Sequence, residues 1–283
     1  MDEKTIFITG ANGQLGTALR RKYPGAQFAD IDELDITLEE SVNKYDWSNT
    51  KIILNAAAYT NVDGAETPEG RVASWKVNAK AVGYLSAIAR KNDITLVHIS
   101  SDYVFDGTKS MHTEDEDLSP LSVYGASKAA GDLVVSTLPQ YYILRTSWVI
   151  GEGKNFVRTM LEIGKKGINP TVVSDQIGRL TFTSELVRAI DHLLATNQSY
   201  GTYNVSNDGE SKSWADITRD IFKQAEITAT VTNSTTAEYY AGKEGIASRP
   251  LQSTLDLTKI KSTGFSTSDW KVDLKKYIEK ENS

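Results

Sequence analysis

The chain has 283 residues, 40% of them hydrophobic, enough for one large domain or one and a half. With 31 basic against 37 acidic residues its formal charge is −6, and no long basic stretch is present, which argues against nucleic acid or an anionic membrane as the main partner. The absence of cysteine excludes disulfides, Cys-ligated zinc and thiolate catalysis; no apolar run approaches the roughly 20 residues of a membrane span, and the start lacks a signal-peptide pattern, so a cytoplasmic setting is expected.

Residues 5–9 are apolar and β-branched and end at a glycine, the pattern of a short strand. A helix is expected over 15–23, a second strand over 26–30, and a third over 51–55, which runs into three alanines. From 71 to 91 apolar residues recur at helical spacing (Val72, Trp75, Val77, Val82, Leu85, Ile88, Ala89). A strand over 95–99 follows, then a helix over 127–138 with Leu133 and Val134 as its apolar contacts, and a strand over 141–145. This alternation predicts an α/β fold, a doubly wound parallel sheet whose ligands lie beyond the carboxyl ends of the strands. Gly10, Ala57, Ser101 and Arg145 fall at or just past those ends, so one edge could present them together. After about residue 150 the pattern becomes mixed, with helices over 156–166, 184–195 and 214–224 and short strands over 171–173 and 203–205.

The turn Gly10-Ala-Asn-Gly13-Gln-Leu-Gly16 sits between the first strand and the first helix. Gly10 permits the tight exit, Gly13 permits close approach of a pyrophosphate, and Gly16 permits helix–sheet packing, while the helix N-terminus offers free N–H groups. The G-x-x-G-x-x-G spacing resembles that of short-chain dehydrogenases/reductases. The expected layout is therefore a Rossmann-like NAD(P)-binding domain over 1–150. A mainly substrate-binding region follows over 151–283, with some segments returning to the sheet. Asp30, at the end of the second strand, would hydrogen-bond a ribose 2′-OH and favour NADH, or else is a solvated turn carboxylate. Arg20, Arg21 and Lys22 keep NADPH open. Asp35 would flank the adenine or serve as a loop acid.

Tyr124-x-x-x-Lys128 puts a phenol and an ammonium one helical turn apart, downstream of the hydroxyl of Ser101. Tyr124 would protonate the oxygen of a carbonyl undergoing reduction, Lys128 would lower its pKa and bind the nicotinamide ribose, and Ser101 would orient the carbonyl. A second match, Tyr239-x-x-x-Lys243, lacks a preceding strand-end hydroxyl and reads as surface. His98 reads as a packed core residue. The acidic run 114–117 reads as a solvated loop.

Seven segments in order are similar to the dTDP-4-dehydrorhamnose reductase family, extended short-chain reductases. They are residues 8–16; Asn55-Ala-Ala-Ala-Tyr-Thr60 with Val62-Asp63 and Ala65-Glu66; Ser101-Asp-Tyr-Val-Phe-Asp-Gly107; Tyr124-Gly125 with Lys128; Arg145-Thr-Ser-Trp148; Val173-Ser-Asp-Gln-Ile-Gly-Arg179 with Thr181; and Arg249-Pro-Leu-Gln-Ser253. The resemblance implies reduction of the 4-keto group of dTDP-4-dehydro-L-rhamnose by NADPH or NADH, with Ser101, Tyr124 and Lys128 as the catalytic set. Carried over by motif, Gly10, Asn12, Gly13, Gln14, Leu15, Asp35, Ala57 and Tyr59 would touch the cofactor, and Thr60, Tyr103 and Trp148 the sugar. Asn155, Gln176 and Arg249 would reach the sugar or its diphosphate. Ser101 stands where the family often has Thr, and Leu180 where Pro is frequent. Some members use Mg²⁺ at a dimer contact; no ligand set is evident here, so no metal is predicted, and a homodimer stays open. Two alternatives remain: a reductase of another nucleotide-linked keto sugar, and a non-catalytic dinucleotide-binding subunit resembling the regulatory β subunit of methionine adenosyltransferase.

Overall fold

The computed structural model describes residues 2–282. Strands β1 (Ile6–Thr9), β2 (Gln27–Ala29), β3 (Ile52–Asn55), β4 (Thr95–Ser101) and β5 (Tyr141–Thr146) alternate with helices α1 (Gln14–Lys22), α2 (Glu39–Lys44), α3 (Pro68–Trp75), α4 (Ala81–Asn92) and α5 (Val123–Val135). The remainder contains β6 (Val149–Ile150), α6 (Phe156–Lys165), β7 (Thr171–Val173), β8 (Ile177–Gly178), β9 (Thr181–Phe182) and α7 (Thr183–Ala195). It continues with β10 (Gly201–Asn204), β11 (Lys212–Ser213), α8 (Trp214–Gln224), β12 (Thr232–Ser234), α9 (Thr236–Tyr240), α10 (Thr258–Ser262) and α11 (Trp270–Asn282).

Six strands form one parallel sheet in the order β10-β5-β4-β3-β1-β2. The chain winds outward from β1 to β2, then crosses to β3 on the other side of β1. That reversal opens a crevice at the carboxyl ends of β1 and β3. One face of the sheet is covered by α1 and α7 through Leu15, Leu19, Leu186 and Ile190. The other is covered by α2 and α4 through Val42, Val82, Leu85 and Ile88. A separate core of Trp270, Phe222, Ile221, Leu161 and Leu274 belongs to the part after residue 150. β10 leaves that part and pairs with β5, Tyr203 opposite Leu144, so the second part is anchored in the sheet.

Two packing expectations fail. The helical stretch from 68 to 92 is interrupted by a π-helical turn over Lys76–Lys80. An extra residue in that turn rotates the upstream face, so Val72 and Trp75 point outward (68% and 44% exposed) while Asn78, Val82 and Leu85 are buried. In α5 the expected apolar contact Leu133 is 62% exposed. The helix instead buries Tyr124, Ser127, Lys128, Ala129, Asp132 and Val135. A helix that turns its polar side inward is built for chemistry rather than for packing alone.

Candidate active site

The glycine turn is shaped by contacts that leave little freedom. Gly10 has φ +62°, and a Cβ there would lie 2.6 Å from the Ala57 backbone; one at Gly16 would lie 2.1 Å from the Gly10 carbonyl oxygen. Gly13 is the N-cap of α1 and has no side chain to occupy the first N–H groups. Gly13, Gln14 and Leu15 line the crevice, so the N-terminus of α1 is set against it, the arrangement that suits a phosphate oxygen.

Two cavities meet at Gly13, Ala56 and Ala58. The first, about 450 Å³, is lined by Gly10, Asn12, Asp30, Leu34, Asp35 and Ala57. The second, about 600 Å³, is lined by Gln14, Leu15, Thr60, Ser101, Tyr103, Tyr124, Lys128 and Trp148. Thus Gly10, Asn12, Asp30, Asp35 and Ala57 fall at one end, while Gln14 and Leu15 line the other with the expected catalytic residues and Thr60, Tyr103 and Trp148; Tyr59 lines neither. The paired cavities, the bare helix N-terminus and the small alanine floor fit an extended dinucleotide. A larger cavity of about 830 Å³ lies between α1, α7 and α11 and shares only Gln14 with the crevice.

Ser122 caps α5 by accepting from the Gly125 N–H at 3.1 Å, which starts the helix one residue before Tyr124. Gly125 is required because a Cβ would lie 2.2 Å from the Tyr103 carbonyl oxygen. The rings of Tyr103 and Tyr124 meet edge-on, centroids 5.4 Å apart. Burial pushes the Tyr124 phenol up to about 12; Ser101 pulls the other way. Burial pushes Lys128 down to about 8, opposed by Asp132. The Lys128 ammonium donates to the Ile99 carbonyl oxygen. The Tyr124 phenol thus stands above its ordinary value, burial outweighing the groups that lower it. The Ser101 hydroxyl accepts from the Tyr103 N–H at 3.2 Å and donates to Asp102 Oδ1 at 2.9 Å. Burial raises the Asp102 carboxyl to about 6.

Trp148 has φ +46°, a costly backbone for a bulky residue. Its ring stacks on Trp214 at 3.7 Å and 18° and lines the second cavity. Several other expected site residues are engaged elsewhere. Arg145 binds Asp132 (Nε–Oδ2 3.0 Å) and the Glu114 carbonyl, on the α5 side and not at the crevice. Asn155 caps α6 through the Arg158 N–H at 3.0 Å and donates to the Gly151 carbonyl and to Tyr277. Gln176 donates to Thr236 Oγ1 at 3.0 Å. Arg249 grips Asp63 with both contacts at 2.8 Å and lies over the Tyr240 ring. Tyr59 is held by its backbone, donating to Asn78 Oδ1 and accepting from Asn78 Nδ2.

The acidic run is not a solvated loop throughout: Glu114 accepts from the Asn204 N–H and Glu116 from His112. His98 is a fully buried partner of Asn55, as expected. Lys243 lies over the Tyr239 ring at the surface. Asn78 belongs to no motif; its only sequence signal is a polar residue inside an apolar helical stretch, where it also donates to Ser127 Oγ. Among the described residues no group of three or more His, Asp or Glu is placed to hold a metal ion, and no helix is long and apolar enough to cross a membrane.

A family model described as RmlD substrate binding domain matches residues 4–283. The chain belongs to the dTDP-4-dehydrorhamnose reductase family. It is 38% identical to the dTDP-4-dehydrorhamnose reductase of Aggregatibacter actinomycetemcomitans over 95% of this chain and 97% of that one. It is 36% identical to a dTDP-4-keto-6-deoxy-D-glucose reductase of Streptomyces niveus over 77% of each. The crystal structure of the Clostridium acetobutylicum dTDP-4-dehydrorhamnose reductase superposes with TM-score 0.91 at 37% identity, covering 98% of this chain and 99% of that one. That of the Bacillus anthracis enzyme, in complex with NADP, superposes with TM-score 0.89 at 35% identity, covering 97% and 98%. The family is one of oxidoreductases.

Proposed function

We propose that the chain reduces the 4-keto group of dTDP-4-dehydro-L-rhamnose with NADPH or NADH, giving dTDP-L-rhamnose. The supporting observation is the convergence of Ser101, Tyr124 and Lys128 on one cavity beside the glycine turn. A bound reduced nicotinamide would supply a hydride to the carbonyl carbon. Ser101 then turns its hydroxyl proton from Asp102 Oδ1 to the carbonyl oxygen and holds that oxygen in place. Tyr124 gives its phenolic proton to the forming alkoxide; a phenol pushed up to about 12 is protonated throughout the neutral range and so is ready to donate. Lys128, whose ammonium donates to the Ile99 carbonyl oxygen, would also bind the nicotinamide ribose. Thr60 and Tyr103 flank the sugar, and Trp148 offers a ring face. Arg249, whose planar guanidinium matches a diphosphate, would exchange Asp63 for the substrate.

The test is to supply purified protein with the sugar nucleotide made by the preceding pathway enzymes, following NADH and NADPH oxidation separately and identifying the product. Cofactor oxidation that depends on the sugar supports the reading. Cofactor binding without turnover on any dTDP-4-keto sugar would point to a regulatory subunit instead. A second reading, reduction of a different dTDP-linked 4-keto sugar, draws on the similarity to the Streptomyces enzyme. Product analysis on a panel of such sugars separates the two.

A further inference from the structure

The three cations near the end of α1 have different fates. Arg21 is committed to Glu152, with both nitrogens on the carboxylate. Lys22 is paired with Asp191 at 2.8 Å. Arg20 has no carboxylate partner among the described residues. Its guanidinium lies 4.0 Å from the centroid of the Phe28 ring, and its one side-chain hydrogen bond goes to Asn12 Oδ1 at 3.1 Å. Asn12 in turn gives its backbone N–H to Asp30 Oδ2 at 2.8 Å. Arg20, Asn12 and Asp30 therefore form one chain of contacts, and the last two line the smaller cavity.

The acids at this rim are occupied with holding the loop. Asp30 accepts from the Asn12 and Ile31 N–H groups, one per carboxylate oxygen. Glu33 accepts from the Asp30 N–H, and Asp35 from the Thr37 N–H and hydroxyl. Two backbone donors on Asp30 spread its charge and fix its direction. An acceptor in that state still tolerates a ribose hydroxyl but opposes a phosphate less than a free carboxylate would. A guanidinium parked on an aromatic face, with donors unspent, suits a phosphate monoester that arrives beside it.

We infer that Arg20 is the residue that recognises the 2′-phosphate of NADPH, so that the chain takes NADPH as well as NADH while Asp30 braces the loop. This rests on the reductase reading for the presence of a dinucleotide, but its test needs no turnover. Binding of ADP-ribose and of 2′-phospho-ADP-ribose is measured by calorimetry with the unaltered protein and with Arg20→Gln and Arg20→Lys. In the unaltered protein both probes bind. Arg20→Gln should weaken the 2′-phosphorylated probe by roughly tenfold or more and leave ADP-ribose within about twofold, with Arg20→Lys between. Equal weakening of both probes would mean that Arg20 only shapes the Asn12 turn, and no weakening of either would remove it from recognition; each overturns the inference. Failure of both probes to bind the unaltered, folded protein would instead bring down the dinucleotide reading and the inference with it.

Discussion

The crevice half and the part after residue 150 use polar side chains differently. Along the sheet edge, Ser101, Tyr124 and Lys128 stand on a strand end and a buried helix face and line open space. In the second part, Asn155, Gln176 and Arg249 have their hydrogen-bonding capacity spent on a helix cap, a threonine hydroxyl and an aspartate. A polar residue that lines a cavity is available to a ligand. One that closes a local turn contributes first to the fold. The comparison is broken or sharpened by removing residues from each side in turn.

The largest effect is expected at Tyr124. Tyr124→Phe keeps the ring and its edge-on contact with Tyr103 but removes the proton. Turnover should fall by roughly 10²-fold or more with little change in cofactor binding. Near-normal turnover in a steady-state assay would take the phenol out of the reaction.

Lys128 comes next, and its two roles have opposite signs. Burial holds its pKa at about 8 against 10.5 for a free lysine. The unfolded chain therefore binds more protons between about pH 8 and 10.5, and this residue's contribution to stability rises with pH across that window. Below pH 8 the penalty is fully present. Lys128→Met should thus lower turnover by an amount comparable to the loss at Tyr124. It should leave the melting temperature near pH 7 unchanged or higher, since a charged group that costs on the order of a few kcal/mol to bury is gone. Activity of the unaltered protein that depends on the ammonium should decline as pH rises through about 8. A melting temperature well below that of the unaltered protein would show that the bond to the Ile99 carbonyl outweighs the burial cost.

The sheet and most helix limits were legible because period-two and period-3.6 patterns report burial directly. Trp214–Gln224 matches its expected span. The faces of two helices were not legible. Hydrophobicity spacing assumes 3.6 residues per turn, and the π-helical turn over Lys76–Lys80 breaks that assumption upstream. In α5 the residues that matter are polar and buried, so a search for apolar contacts selected Leu133 on the wrong side. That Ser101, Tyr124 and Lys128 line one cavity was legible through their order along the chain. The partners of Arg145, Asn155 and Gln176 were not, because side-chain direction and long-range contacts have no signature in local spacing.

Arg249 lies between the two classes. It is paired with Asp63, but its charge also acts on Tyr103, which lines the second cavity: burial raises that phenol and Arg249 opposes the rise. Arg249→Gln should raise KM for the sugar nucleotide by about tenfold through loss of a bidentate anion contact, while kcat changes less. An unchanged KM would assign the guanidinium wholly to Asp63 and to bracing the segment that carries Ala247, whose carbonyl it also binds.

The smallest expected effect tests the structural side of the comparison. Asn155 accepts from the Arg158 N–H as the cap of α6 and also donates to Gly151 and Tyr277, which ties the 151–155 turn to α11. Asn155→Ala should cost about 1 kcal/mol or somewhat more, read as a lowered melting temperature, because the first turn of α6 loses its acceptor. KM and kcat should stay within about twofold if the side chain serves only the fold, since binding energy that never reaches substrate cannot be lost from it. A rise in KM with an unchanged melting temperature would reverse that assignment and place Asn155 with the residues that line the crevice. The two readouts move in opposite senses for the two roles, so a single variant decides between them.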